Sequence, residues 1–108
     1  KGSKQCIAST LKSACRIVID HGAERAISKS GKSLLPSGIV DVRGDFGVGD
    51  SVTCVGENGS EIARGLTSYS SEDIRKIMGA KTSDIERILG YNFGDAVIHR
   101  DDLAIITG

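Results

Sequence analysis

A chain of 108 residues, 39% hydrophobic and 26% charged, is sized for one domain around a single core. No apolar run approaches the roughly 20 residues that a membrane-crossing helix needs, and the start carries no signal-peptide pattern, so no membrane partner is expected. Fourteen Lys and Arg balance fourteen Asp and Glu, so whole-chain electrostatics do not announce a nucleic-acid partner, and 4% aromatics with no Trp leave little material for base stacking.

The charge is unevenly placed. Residues 1–50 carry 8 basic and 5 acidic side chains, whereas residues 51–108 carry 6 and 9. Cys6, Cys15 and Cys54 are far apart with no C-x-x-C pair, and His21 and His99 do not complete a zinc site. All three cysteines read as small buried or half-buried hydrophobes in a reducing cytoplasm.

The polar opening, residues 1–4, has no initiator Met and reads as the start of a piece cut from a longer protein or as an expression scar. Residues 5–10 form a short strand with Cys6, Ala8 and Thr10 on one side, and residues 11–14 a polar turn. Residues 16–19 form a central strand carrying the β-branched run Ile17, Val18 and Ile19. Asp20 then caps a helix over 21–30 that buries Ala23, Ala26 and Ile27, ends at Gly31, and turns Arg25, Lys29 and Lys32 outward.

The stretch 31–50, GKSLLPSGIVDVRGDFGVGD, organises the chain. Its single proline, Pro36, and Gly38 precede a strand with Ile39, Val40, Asp41 and Val42, and a turn built on Gly44, Asp45, Gly47, Gly49 and Asp50 follows. So much special backbone around one strand serves a tight corner or a partner's close approach. Residues 51–55 alternate as a strand, Asn58-Gly59 signals a type I′ hairpin, and residues 61–67 return with Ile62, Arg64 and Leu66 on one face. Gly65 inside that strand implies a bulge or a close neighbour.

Two near-copies follow, Asp73-Ile74-Arg75-Lys76-Ile77-Met78-Gly79 and Asp84-Ile85-Glu86-Arg87-Ile88-Leu89-Gly90. Each sets three apolar residues at helical spacing before a terminal Gly, with Ser70 or Ser71, and Ser83, as caps; Ser83 with Glu86 fits a capping box. Residues 96–99 and 103–107 read as two last strands around Arg100-Asp101-Asp102. The sum is six or seven short strands and three short helices, an α+β, mainly β pseudobarrel. Residues 1–15 form an N-terminal segment with the first short strand, and residues 16–108 a single domain.

No motif here carries catalysis. Asp45-Phe46-Gly47 and His99-Arg100-Asp101 imitate protein-kinase triplets, but in the wrong order and without the accompanying lysine. Gly31-Lys32-Ser33 lacks the earlier glycine of a phosphate loop and follows a helix rather than a strand.

Asp20-His21-Gly22-Ala23 leading to Gly31-Lys32-Ser33-Leu34-Leu35-Pro36-Ser37-Gly38-Ile39, then Gly44-Asp45-Phe46, resembles the PUA domain, the module named for pseudouridine synthase and archaeosine transglycosylase. Ile62-Ala63-Arg64-Gly65-Leu66, Tyr69-Ser70-Ser71, Ile88-Leu89-Gly90-Tyr91 and His99-Arg100-Asp101-Asp102 follow in the order seen in the C-terminal PUA domain of the glutamate 5-kinase (gamma-glutamyl kinase) family. The resemblance runs over nearly the whole chain from about residue 16. It implies a PUA-like pseudobarrel and a cytoplasmic parent enzyme that phosphorylates the side-chain carboxylate of glutamate with ATP and Mg²⁺, the first step of proline synthesis. The kinase domain would precede Lys1, so this piece itself has no catalytic residue, metal site or cofactor, and its partners are that kinase domain and other subunits. A regulatory or assembly role follows. The alternative is an RNA-binding module: carried over from RNA-modifying relatives of the family, the RNA-facing surface is Arg25, Lys29, Lys32, Leu35, Ser37, Gly38 and Arg43.

Overall fold

The β-branched run at residues 17–19 lies inside the sheet, with Ile17 and Val18 paired on both sides. The computed structural model describes residues 15–106; the strand read over 5–10, the turn over 11–14, Cys6 and Thr107 lie outside them. Strand β1 (Arg16–Ile19) pairs antiparallel with β2 (Ile39–Arg43) and parallel with β3 (Ser51–Val55). Strands β4 (Glu61–Leu66) and β5 (Leu103–Ile105) complete a five-stranded sheet in the order β2-β1-β3-β4-β5. One cross-strand row, Val42–Ile17–Cys54–Ala63, runs through the core, and all four side chains are buried. Register shifts at Val18/Ile19 and Cys54/Val55 bend the sheet. With three short α-helices, this is the expected α+β pseudobarrel.

Helix α1 (His21–Ser30) forms where its caps predict. The Asp20 carboxylate accepts the Ala23 N–H at 2.8 Å, and Gly31, at φ 63°, ends the helix by donating to the Ile27 carbonyl at 3.2 Å. Helix α2 (Ser71–Ile77) is capped by Ser70, whose hydroxyl accepts the Asp73 N–H at 3.2 Å. Helix α3 (Ile85–Leu89) is entered from a 3₁₀ turn, Thr82–Asp84, and has no side-chain cap. The capping box read from Ser83 and Glu86 is therefore absent: Ser83 sits inside that turn instead of in the extended backbone a cap requires. The near-copies dock unequally. Ile74, Ile77 and Ile85 are fully buried, Met78 and Leu89 half-buried, and Ile88 is exposed.

Three further expectations are corrected. The β3–β4 hairpin is not type I′, because Asn58 does not adopt positive φ. Its loop is closed by Gly59 N–H to the Gly56 carbonyl at 2.9 Å, with Gly59 itself left-handed at φ 90°. Residues 96–99 form no strand but a single bridge between Leu34 and Ile98; Pro36, two residues past Leu34 and lacking an N–H, prevents the ladder from extending. Of the six strands expected within the described residues, five are found. Cys15 and Cys54 are both buried, as expected of small hydrophobes; Cys54 is free, whereas Cys15 is disulfide-bonded, which departs from the expected reduced state.

The stretch 31–50 does tie the domain together. Its backbone bonds reach the residue after β1 (Asp20 N–H to Gly38 carbonyl, 3.0 Å) and the turn after α2 (Gly79 N–H to Pro36 carbonyl, 2.8 Å). They also reach the residue after β4 (Gly49 N–H to Thr67 carbonyl, 2.7 Å) and the C-terminal arm (Leu34 N–H to Ile98 carbonyl, 2.9 Å).

Candidate functional site

Helix α1 and the loop after it were expected to present one basic surface. The chemistry is divided instead between two hollows on either side of the helix. On one side, Leu35, Ser37 and Gly38 line a cleft of about 290 Å³ with Asp20, Gly22, Ala23, Ala26 and Ser33. On the other, Arg25 and Lys29 line a wider hollow of about 610 Å³ with His21, Gly22, Glu24, Ser28 and Asn58. Gly22 belongs to both.

Lys32 is exposed just past the helix end and lines neither hollow. Arg43 lies at the far end of β2, roughly 13 Å along the strand from Ile39. Arg43 faces Arg16 across the β1–β2 pair, and its Nε sits 3.3 Å from Asp41, which offsets that like-charge juxtaposition. Of the seven expected residues, three line the cleft, two line the basic hollow, and Lys32 and Arg43 line neither.

The cleft owes its shape to a contact that spacing alone does not reveal. A Cβ at Gly38 would stand 2.6 Å from the Ala23 Cβ, so the loop backbone presses directly onto α1. Ala23 and Ala26, expected to be buried, are half-exposed because they form the cleft's wall. The sequence marks Asp20 only as a cap and gives Ser33, Ala23 and Ala26 no lining role; the signal it holds is small residues on one helix face with an acid before the helix. Ser33 accepts the Arg100 N–H at 2.9 Å, fixing the cleft's outer wall. Cleft-lining polar groups are a carboxylate and two hydroxyls with no cation, so it suits a hydrogen-bond donor on an apolar body; a phosphate would have to lie toward Arg25 and Lys29.

No group of three His, Cys, Asp or Glu side chains among the described residues could hold a metal ion. The shifted titrating groups also lie away from the cleft. Burial pushes the Cys54 thiol up to about 12. Tyr69 is raised, chiefly by burial, and Tyr91 is raised, chiefly by its hydroxyl's 2.6 Å bond to the Asp73 carboxylate.

With a bent mixed sheet and a helix-and-loop cleft of this form, the chain belongs to the PUA domain family, whose sequence pattern it matches over residues 15–89. It is similar to a glutamate 5-kinase of Syntrophus aciditrophicus (strain SB), 59% identical over 95% of this chain and 27% of that protein. It is likewise similar to a glutamate 5-kinase of Thermoanaerobacter sp. (strain X514), 55% identical over 95% of this chain and 28% of that protein. The chain thus spans just over a quarter of the length of these relatives. Among solved structures it resembles a PUA domain from Aeropyrum pernix K1 in complex with tartrate, with TM-score 0.59 and 23% identity over 81% of this chain and 42% of that one.

Proposed function

We propose that this chain is the non-catalytic, C-terminal PUA domain of a cytoplasmic glutamate 5-kinase of proline synthesis, and that it acts in regulation or assembly of the enzyme. The observation that carries this reading is identity of 48–59% across 95% of the chain to kinases several times its length. ATP and Mg²⁺ are assigned to the rest of the polypeptide, the roughly three quarters of each kinase relative that this chain does not match. The domain stabilises the kinase, or sets its subunit assembly and its response to proline. Deleting residues 1–108 from the longer polypeptide is expected to alter at least one of oligomeric state, thermal stability and proline inhibition. If all three stay unchanged, the role is wrong.

One observation favours a second reading, RNA binding: Arg25, Lys29 and Lys32 are all exposed, and Arg25 and Lys29 line one hollow. That reading predicts tRNA affinity that falls with salt, by a log–log slope of about 0.7–0.9 per phosphate contacted, and weakens in a Lys29→Glu, Lys32→Glu variant. Fluorescence anisotropy at two salt concentrations tests it, and affinity indifferent to the variant removes this surface from consideration.

A further inference from the structure

Where β4 ends, beyond the cleft and the basic hollow, lies a third concave surface. Val48, Gly49, Leu66, Thr67, Ser68, Phe93 and Asp102 line a hollow of about 440 Å³. Its apolar side chains are open to solvent, Val48 by 60%, Leu66 by 47% and Phe93 by 55%. Its backbone is already satisfied: Gly49 N–H donates to the Thr67 carbonyl at 2.7 Å, Thr67 N–H to Asp50, and Ser68 N–H to Val97. What the hollow presents is chiefly apolar surface, with the Ser68 hydroxyl and one carboxylate.

Phe93 is held outward. The buried Tyr69 hydroxyl accepts the Phe93 N–H at 2.9 Å and donates to the Gly94 carbonyl at 2.7 Å, while the Phe93 ring packs on Tyr69 and Tyr91 at centroid distances of 5.4 and 4.8 Å. Three of the chain's four aromatic residues are spent on this one feature. A large apolar ring clamped at the surface beside two exposed aliphatics is the form of a protein-docking anchor.

Charge selects the occupant. Asp102 is the only charged residue in the lining, and Asp95 follows Phe93 by two positions and acts electrostatically on Tyr69. Such a rim repels phosphates and favours an apolar side chain flanked by Lys or Arg. Roughly three quarters of each kinase relative lies outside the part this chain matches.

Resting on the reading above, we propose that the Val48–Leu66–Phe93 hollow docks a segment of the kinase part of the same polypeptide, an apolar residue with a neighbouring cation. The test uses the full-length polypeptide carrying Val48→Cys or, as a control outside the hollow, Ile88→Cys, and compares maleimide labelling at each site by peptide mass. By exposure alone, position 48 should react at least as fast as position 88, where Ile88 is 40% exposed. Docking reverses that order, slowing position 48 by about tenfold or more, the equivalent of a docked state favoured by ~1.4 kcal/mol. A second change, Leu66→Lys, is expected to restore fast labelling at position 48. Labelling at position 48 as fast as at 88 overturns the proposal, and so does protection that fades on dilution, which would mark a second copy as the occupant. Glutamate-dependent ATP consumption by the same polypeptide tests the kinase reading separately: activity with an open hollow sinks only the docking, and a protected hollow without activity sinks only the reading.

Discussion

Two glycines hold their positions because another atom already occupies the space of a side chain. A Cβ at Gly65 would meet the Asp102 carbonyl oxygen at 2.6 Å and Ile98 Cγ2 at 2.8 Å. Gly65→Ala is therefore expected to cost about 1–3 kcal/mol, read as a lower denaturant midpoint at unchanged slope. Gly38→Ala meets Ala23 in the same way, but there the neighbour can be removed. A Gly38→Ala, Ala23→Gly double variant should recover part of the loss, and purely additive losses would show that the contact is not the cause. Cys54 makes a pH prediction. Its folded pKa of about 12 exceeds the ordinary 9.0 because the thiolate would be buried. The folded state thus holds this proton while the unfolded state releases it, so stability is intact below pH ~9 and falls as pH rises toward ~12. Urea titrations at pH 8 and 10 should show a drop in wild type that is smaller in Cys54→Ala.

Elements were legible where the sequence specifies a local event. Asp20, Gly31 and Ser70 act on their own backbone within four residues, so α1 and the start of α2 follow directly from them. Asp20→Ala is expected to cost about 1 kcal/mol, lowering the melting temperature by roughly 4–8 °C in calorimetry. Elements were misjudged where distant partners decide. Val97 and Ile98 are apolar enough for a strand, but the ladder available to them ends at Leu34 because Pro36 follows. The candidate site shows the same division. Exposed cations on α1 could be read from helical spacing, whereas the split into two hollows depends on Gly38 pressing against Ala23, a contact between residues fifteen positions apart. Leu66 shared a strand face with Arg64 in the sequence, yet nothing there said that this face meets Phe93.

Over the whole molecule, neutral net charge conceals two faces of different character. Cations gather around α1, and the hollow beside Phe93 is apolar with an acidic edge, so one domain can present unlike surfaces to unlike partners. Tyr69→Phe separates the hollow's architecture from its composition: it keeps the ring but removes the bonds to Phe93 and Gly94. It is expected to destabilise the domain by about 1–2 kcal/mol and to speed amide exchange at residues 93 and 94 before other core amides. The stretch 31–50 has a consequence in time. Leu34 is closed by Ile98, and Ser33 by Arg100, sixty-seven positions away. On a chain emerging from the ribosome, the loop beside the cleft waits for residues 98–100 before these bonds can close. Synthesis stalled or truncated before residue 98 would therefore leave Leu34 unbridged and the cleft's Ser33 wall unfixed.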